Sequence, residues 1–160
     1  MSKIGRKGIP VGGTTVEVKG QEVHYKGKKT SGVYQIDPLL KVELRDKELF
    51  ITPARVTSDT NRVWGLHRAL LNNRIIGADT GFTKKLEIHG LGFKAIPQGA
   101  GMIQFSLGFS HKIDFPLPSD VTLEVDKTGQ RLSFSSFDKD LLGHVCSDVR
   151  ALRPPEPYKG

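Results

Sequence analysis

Lys41-Val-Glu-Leu-Arg-Asp-Lys47, followed by Glu48-Leu-Phe-Ile51, is met again by residue type in Thr122-Leu-Glu-Val-Asp-Lys127, followed by Arg131-Leu-Ser-Phe134. Trp64-Gly-Leu66 likewise has a counterpart in Leu142-Gly-His144, so the chain repeats one pattern at an offset of about 80 residues. In each copy apolar and polar residues alternate, the period of a strand with one buried face. The repeat predicts one small unit used twice rather than one large domain. The expected fold class is α+β: two similar small domains, residues 1–80 and 81–160, each an antiparallel sheet with one helix packed on it.

Working outward, Val16 and Val18, Val23 and Tyr25, Val33 to Ile36, Val42 and Leu44, and Leu49 and Ile51 mark short strands. Turn signals at Lys19-Gly20, Lys26-Gly27, Asp37-Pro38 and Asp46-Lys47 separate them into an antiparallel meander. After Pro53 the period changes to that of a helix. It is expected from Asp59 to Ile76, with Ser58 or Asp59 as N-cap and Gly77 as the stop. Its outer face carries Arg62, Arg68, Asn72, Asn73 and Arg74. The second copy begins with one long strand, Phe82 to Ile96. Strands at Ile103 to Phe109, Ile113 to Phe115, Val121 to Val125 and Leu132 to Phe137 follow, and then a helix capped by Asp138.

The sequence has 160 residues, enough for a sizeable core, and 24 Lys and Arg against 17 Asp and Glu give a net charge of +7. That excess favours polyanionic partners. One cysteine, Cys146, can form neither an internal disulfide nor a paired zinc site, and it falls on the apolar stripe of the second helix as a small core residue. His24, His67, His89, His111 and His144 show no metal-binding spacing. No apolar run is long enough to span a membrane, and the amino terminus has no apolar leader. Gly90-Leu-Gly92-Phe-Lys-Ala95 fits the loosest dinucleotide fingerprint. That motif requires a helix to start at its second glycine, whereas Pro97 and a strand pattern surround it here, so the glycines read as a bulge or a close backbone approach. No nucleophile elbow or phosphate-binding loop occurs. An enzyme, a cofactor, a bound metal and a small-molecule substrate are not expected.

Cations and rings instead gather at ends and turns. Lys3, Arg6 and Lys7 form a leader without an acid, which is either a basic arm or a solvated end. Lys84 and Lys85, Lys94, and Gly108-Phe-Ser-His-Lys112 follow in the second half. The carboxyl end is Arg150-Ala-Leu-Arg153-Pro-Pro-Glu-Pro-Tyr158-Lys159-Gly160. Its three prolines exclude helix and central strand, and in polyproline form the eight residues from Arg153 span roughly 25 Å at about 3.1 Å per residue. This is either a stiffened basic arm or an unstructured end. Arg150, Arg153 and Lys159 suit phosphates, while Phe93, His111 and Tyr158 suit unpaired bases or sugars.

Several of these segments resemble one family, that of large ribosomal subunit protein six. They are Ser2-Lys-Ile-Gly-Arg-Lys7, Arg68-Ala-Leu-Leu-Asn-Asn73, Gly81-Phe-Thr-Lys-Lys-Leu-Glu-Ile-His-Gly-Leu-Gly-Phe-Lys-Ala95, Leu107-Gly-Phe-Ser-His111 and the whole carboxyl end. The resemblance runs from end to end. It implies a structural, non-catalytic constituent of the large subunit, with two sheet-plus-helix domains, that serves translation. By the same resemblance it binds large-subunit ribosomal RNA near the stalk base and the sarcin-ricin loop, with neighbouring ribosomal proteins as further partners.

Carried over by motif, RNA contacts fall to Lys84, Lys85, Gly92, Phe93, Lys94, Ser110, His111, Lys112, Arg153, Tyr158 and Lys159. Lys3, Arg6, Lys7, Arg68, Asn72 and Arg150 complete the expected RNA-binding set, and the second domain with its tail is expected to carry most contact. The expected location is the ribosome of a bacterial cytoplasm, with a mitochondrial or plastid ribosome as the alternative. Two departures stand out. Lys26-Gly-Lys-Lys-Thr30 replaces the usual Lys-Gly-Pro-Lys-Gly, so the turn there is expected to differ, and family sequences commonly continue past Tyr-Lys-Gly with a further basic tail. A competing reading is a protein-interaction module that presents its Pro-rich tail to an aromatic groove.

Overall fold

The computed structural model describes residues 3–99 and 101–158. The chain divides into two compact units, Met1–Gly81 and Phe82–Gly160.

The first unit contains β1 (Ile9–Pro10), β2 (Thr15–Lys19), β3 (Glu22–Lys26), β4 (Ser31–Gln35), β5 (Leu40–Arg45), β6 (Glu48–Pro53) and α1 (Ser58–Asp79). Its strands form two three-stranded antiparallel sheets, β2-β3-β4 and β1-β6-β5, rather than one continuous meander. The break follows Ile36, where Asp37-Pro38 turns the chain and the Leu40 amide donates to the Asp37 carbonyl (2.9 Å). Ile9, Val23, Ile36, Leu40, Leu49 and Leu71 fill the core between the sheets and α1. Asp46 and Lys47 both take positive φ, 46° and 65°, the backbone of a two-residue hairpin turn matched to the twist of β5 and β6.

α1 begins one residue earlier than its composition indicates. Thr57 is the N-cap: its hydroxyl accepts from the Thr60 amide (3.2 Å), and the Thr60 hydroxyl accepts from the Thr57 amide (2.8 Å). Gly77 does not end the helix. Gly77 and Ala78 are buried, and the β3–β4 turn is seated on Ala78, its Lys29 amide donating to the Ala78 carbonyl (2.9 Å). A Cβ at Gly27 would collide with that same carbonyl. The reversal comes at Gly81 (φ 77°), where the Thr80 and Gly81 amides both donate to Ile76 (3.0 and 3.1 Å). Within Lys26-Gly-Lys-Lys-Thr30 the Lys28 ammonium lies 3.7 Å from Asp79 at the carbonyl end of α1, where cations are favoured.

The second unit contains β7 (Phe82–Glu87), β8 (Lys94–Pro97), β9 (Met102–Ser106), β10 (Ile113–Pro116), β11 (Val121–Val125), β12 (Arg131–Ser136) and α2 (Lys139–Leu152). The expected long strand Phe82 to Ile96 is two strands in different sheets, β11-β12-β7 and β10-β9-β8. Between them Gly92 takes φ 75° and the Phe93 amide donates to the Gly90 carbonyl (3.3 Å), a turn that no alternating pattern reveals. Phe105, Phe134, Leu132, Ile103 and Leu142 are the fully buried centre. Cys146 lies among them at 4 % exposure, and burial pushes its thiol pKa up against the opposing charge of Lys84. Asp138 caps α2 by accepting from the Asp140 and Leu141 amides (2.9 and 3.4 Å).

Candidate nucleic-acid interface

In the first unit the leader is folded down. Gly5 is buried against the Trp64 indole, so close that a Cβ there would stand 2.6 Å from the ring, and Trp64 is fixed from below by donating Nε1–H to the Ile51 carbonyl (2.6 Å). Arg68, one helical turn on from Trp64, donates Nε to the Lys7 carbonyl (3.3 Å) and Nη2 to the Gly8 carbonyl (3.0 Å). Lys3, Arg6 and Lys7 are exposed on this pinned turn. Asn72 follows Arg68 by a further turn and is half-buried.

The outer face of α1 is consequently less of a basic stripe than its letters indicate. Arg62 donates to Asp59 (2.6 Å), and Arg68 is engaged with the leader backbone. Tyr34 and His67 meet beside it, Oη to Nδ1 at 2.9 Å. Burial lowers the His67 pKa despite Asp37, and burial raises that of Tyr34 despite Arg74. A neutral imidazole accepting from the phenol fits both directions.

In the second unit Lys84 and Lys85 are exposed but point to opposite faces of β7, because Lys84 stands across from buried Phe134 and Lys85 across from Ser133. Lys94 is exposed at the start of β8. Gly92 is exposed at the loop tip, next to a fully exposed Leu91. Phe93 is not a free ring. It packs on the core with Gly90 and Gly108 against its faces and edge; a Cβ at Gly108 would lie 2.8 Å from the ring.

The exposed ring of this loop is Phe109, which the alternating pattern alone does not single out. His111 stacks on it with centroids 6.1 Å apart and planes 24° from parallel, and the Arg153 guanidinium sits 5.1 Å from its centroid. Its position inside Gly108-Phe-Ser-His111 was the available signal. Ser110 and Lys112 are exposed in the same loop, and Arg150 is exposed in the last turn of α2. Tyr158 is 95 % exposed along the Pro-rich arm. The expectation for Lys159 lies outside the described residues. Among the described residues no three or more His, Cys, Asp and Glu side chains gather as metal ligands, and no helix is long and apolar enough to cross a membrane.

These features define a class: a basic α+β protein of two small units with exposed cations and rings, many of them on turns and chain ends. The comparisons with known proteins narrow it. The family described as ribosomal protein L6 matches residues 90–160. Large ribosomal subunit protein uL6 of Oleidesulfovibrio alaskensis is 42 % identical over 161 aligned positions, covering 100 % of this chain and 88 % of that protein. The uL6 proteins of Bartonella bacilliformis and Beijerinckia indica subsp. indica are 40 % and 38 % identical, each with 100 % of this chain and 90 % of the relative covered. The chain belongs to the ribosomal protein L6 family and is a structural constituent of the large ribosomal subunit rather than an enzyme.

Proposed function

We propose that this chain binds large-subunit ribosomal RNA near the stalk base and the sarcin-ricin loop, beside the ribosomal proteins of that region, and holds RNA segments in place during translation. Its place of action is the ribosome of the bacterial cytoplasm, a reading supported by relatives named as large ribosomal subunit proteins. The second unit and its Pro-rich arm, residues 81–160, carry most of the contact, and the pinned leader with Lys3, Arg6 and Lys7 adds a smaller one.

The observation that carries this reading is the Arg153–Phe109–His111 cluster. It joins the β9–β10 loop to the end of α2, so cation and rings are assembled before any ligand arrives and little side-chain ordering is left to oppose binding. Lys84, Lys85, Lys94, Lys112 and Arg150 are exposed on the same unit for phosphates, which set register, while stacked rings meet unpaired bases.

Hydroxyl-radical footprinting of large-subunit RNA with the full chain tests the location. Protection at the stalk base and the sarcin-ricin loop is expected, and it should fade in Phe109→Ala and Arg153→Ala at equal protein concentration, because each stacked base contributes about 1–3 kcal/mol. Protection elsewhere, or none, overturns the assignment.

A further inference from the structure

An apolar cleft of the second unit has a volume of about 450 Å³ and opens between β7 and the end of α2. Leu86, Ile88, Phe93, Leu107 and Val149 form its floor, and Arg150, Arg153 and Pro154 stand on its rim. Resting on the proposed RNA binding, we infer that this cleft accepts one unstacked nucleotide of RNA, with the base on the apolar floor and its phosphate between Arg150 and Arg153.

Three features select that occupant. First, the floor offers apolar surface and the edge of an aromatic ring, which suit the face of any base and demand no fixed hydrogen-bond pattern. Second, the rim charge is available. Glu87, which also lines the cleft, already faces Arg131 and His89, each at 3.5 Å. Arg150 and Arg153 together outweigh the partial negative charge of roughly one half unit at the carboxyl end of α2 and the single acid Glu156. Third, Arg153 is held on the Phe109 ring, 5.1 Å from its centroid, so a phosphate bound there would lie beside the exposed stacking surface where the neighbouring base can rest. The rim is built before binding, by packing within the protein. An uncharged, purely apolar occupant would make no use of the two guanidinium groups.

The test uses the methyl-labelled full chain with cytidine 5′-monophosphate as the probe and ribose 5-phosphate as the base-free control. The nucleotide should shift the methyl signals of Leu86, Ile88, Leu107 and Val149, and the control at equal concentration should leave them in place. Arg150→Ala with Arg153→Ala should weaken the nucleotide titration about tenfold. Ile88→Trp, which fills the floor, should abolish it while the remaining methyl spectrum stays native; if that variant does not fold, the arginine pair decides alone. Equal shifts with the control, or shifts confined to the exposed loops, overturn the inference. Filter binding of large-subunit RNA by the same protein judges the underlying reading separately. RNA bound with the cleft methyls unmoved by nucleotide rejects the cleft alone; no RNA bound at all rejects the broader reading.

Discussion

Replacing Arg68 by Ala separates two roles that its position on α1 allows. If its guanidinium served RNA, the loss would appear in binding. The structure instead aims two of its donors at the Lys7 and Gly8 carbonyls, at 3.3 and 3.0 Å, the second in a part-buried setting. A charged donor to a neutral carbonyl contributes about 1 kcal/mol when partly shielded and a few tenths when exposed, so about 1–2 kcal/mol is at stake in the first unit. With an unfolding slope near 1 kcal/mol per molar urea for a unit of this size, the midpoint should fall by about 1–2 M. Trp64 is the sole tryptophan and lies under Gly5, so its fluorescence reports the transition of this unit. Amide exchange at Lys7, whose N–H donates to the Ile4 carbonyl at 3.2 Å, should quicken in parallel. RNA affinity should change less than threefold. An unchanged midpoint and unchanged exchange, with a tenfold loss of RNA affinity, would refute the assignment of Arg68 to the leader.

The remaining predictions concern the fold. Gly27→Ala drives a Cβ into the Ala78 carbonyl, where helix and turn backbones meet and neither can yield cheaply, so a loss of about 2 kcal/mol is expected by urea denaturation; a neutral result would mean the turn is not seated on α1. Trp64→Phe removes the donor to the buried Ile51 carbonyl and should cost about 1–3 kcal/mol, read by circular dichroism. His67 has a folded pKa below its ordinary value of 6.5, so the folded state disfavours the proton. Its stability contribution is complete above pH 6.5 and is lost as pH falls through the lower folded value. Urea midpoints compared between pH 7 and pH 5 should therefore show a steeper decline for the native chain than for His67→Gln, and identical declines would exclude this source.

The repeat of strand, turn and helix was legible because apolar spacing survives in both halves. The α+β class follows from it, as do Asp138 as a cap and Cys146 as a core residue. What the pattern could not carry were features set by distant partners or by backbone conformation. Gly77 looks like a stop, yet α1 runs on to Asp79, and only the seating of the β3–β4 turn on the Ala78 carbonyl and the positive φ of Gly81 reveal where it ends. Phe82 to Ile96 alternates throughout, but Gly92 at φ 75° breaks it, and period alone does not encode sign of φ. The two-residue strand β1 is too short for any periodic signal.

The candidate site divides in the same way. Cations such as Lys94, Lys112 and Arg150 were legible by type and setting, and they are exposed as expected. That Phe93 is packed and Phe109 exposed was not legible, because which ring is packed depends on Gly90 and Gly108 closing on Phe93 and on Arg153 approaching from the end of α2. Arg68 read as an outward cation for the same reason: its partners Lys7 and Gly8 are remote in sequence.

The central claim is that the chain holds ribosomal RNA through cations on its second unit, and the salt dependence of that binding tests it most directly. Binding of the full chain to large-subunit RNA would be followed from low to high salt, alongside the variant carrying Lys94→Ala, Lys112→Ala and Arg153→Ala. Affinity should fall log-linearly with salt, and the variant's slope should be smaller by about 2–3, one unit or slightly less for each lost phosphate contact. A salt-independent affinity, or a variant with the native slope, would contradict the account.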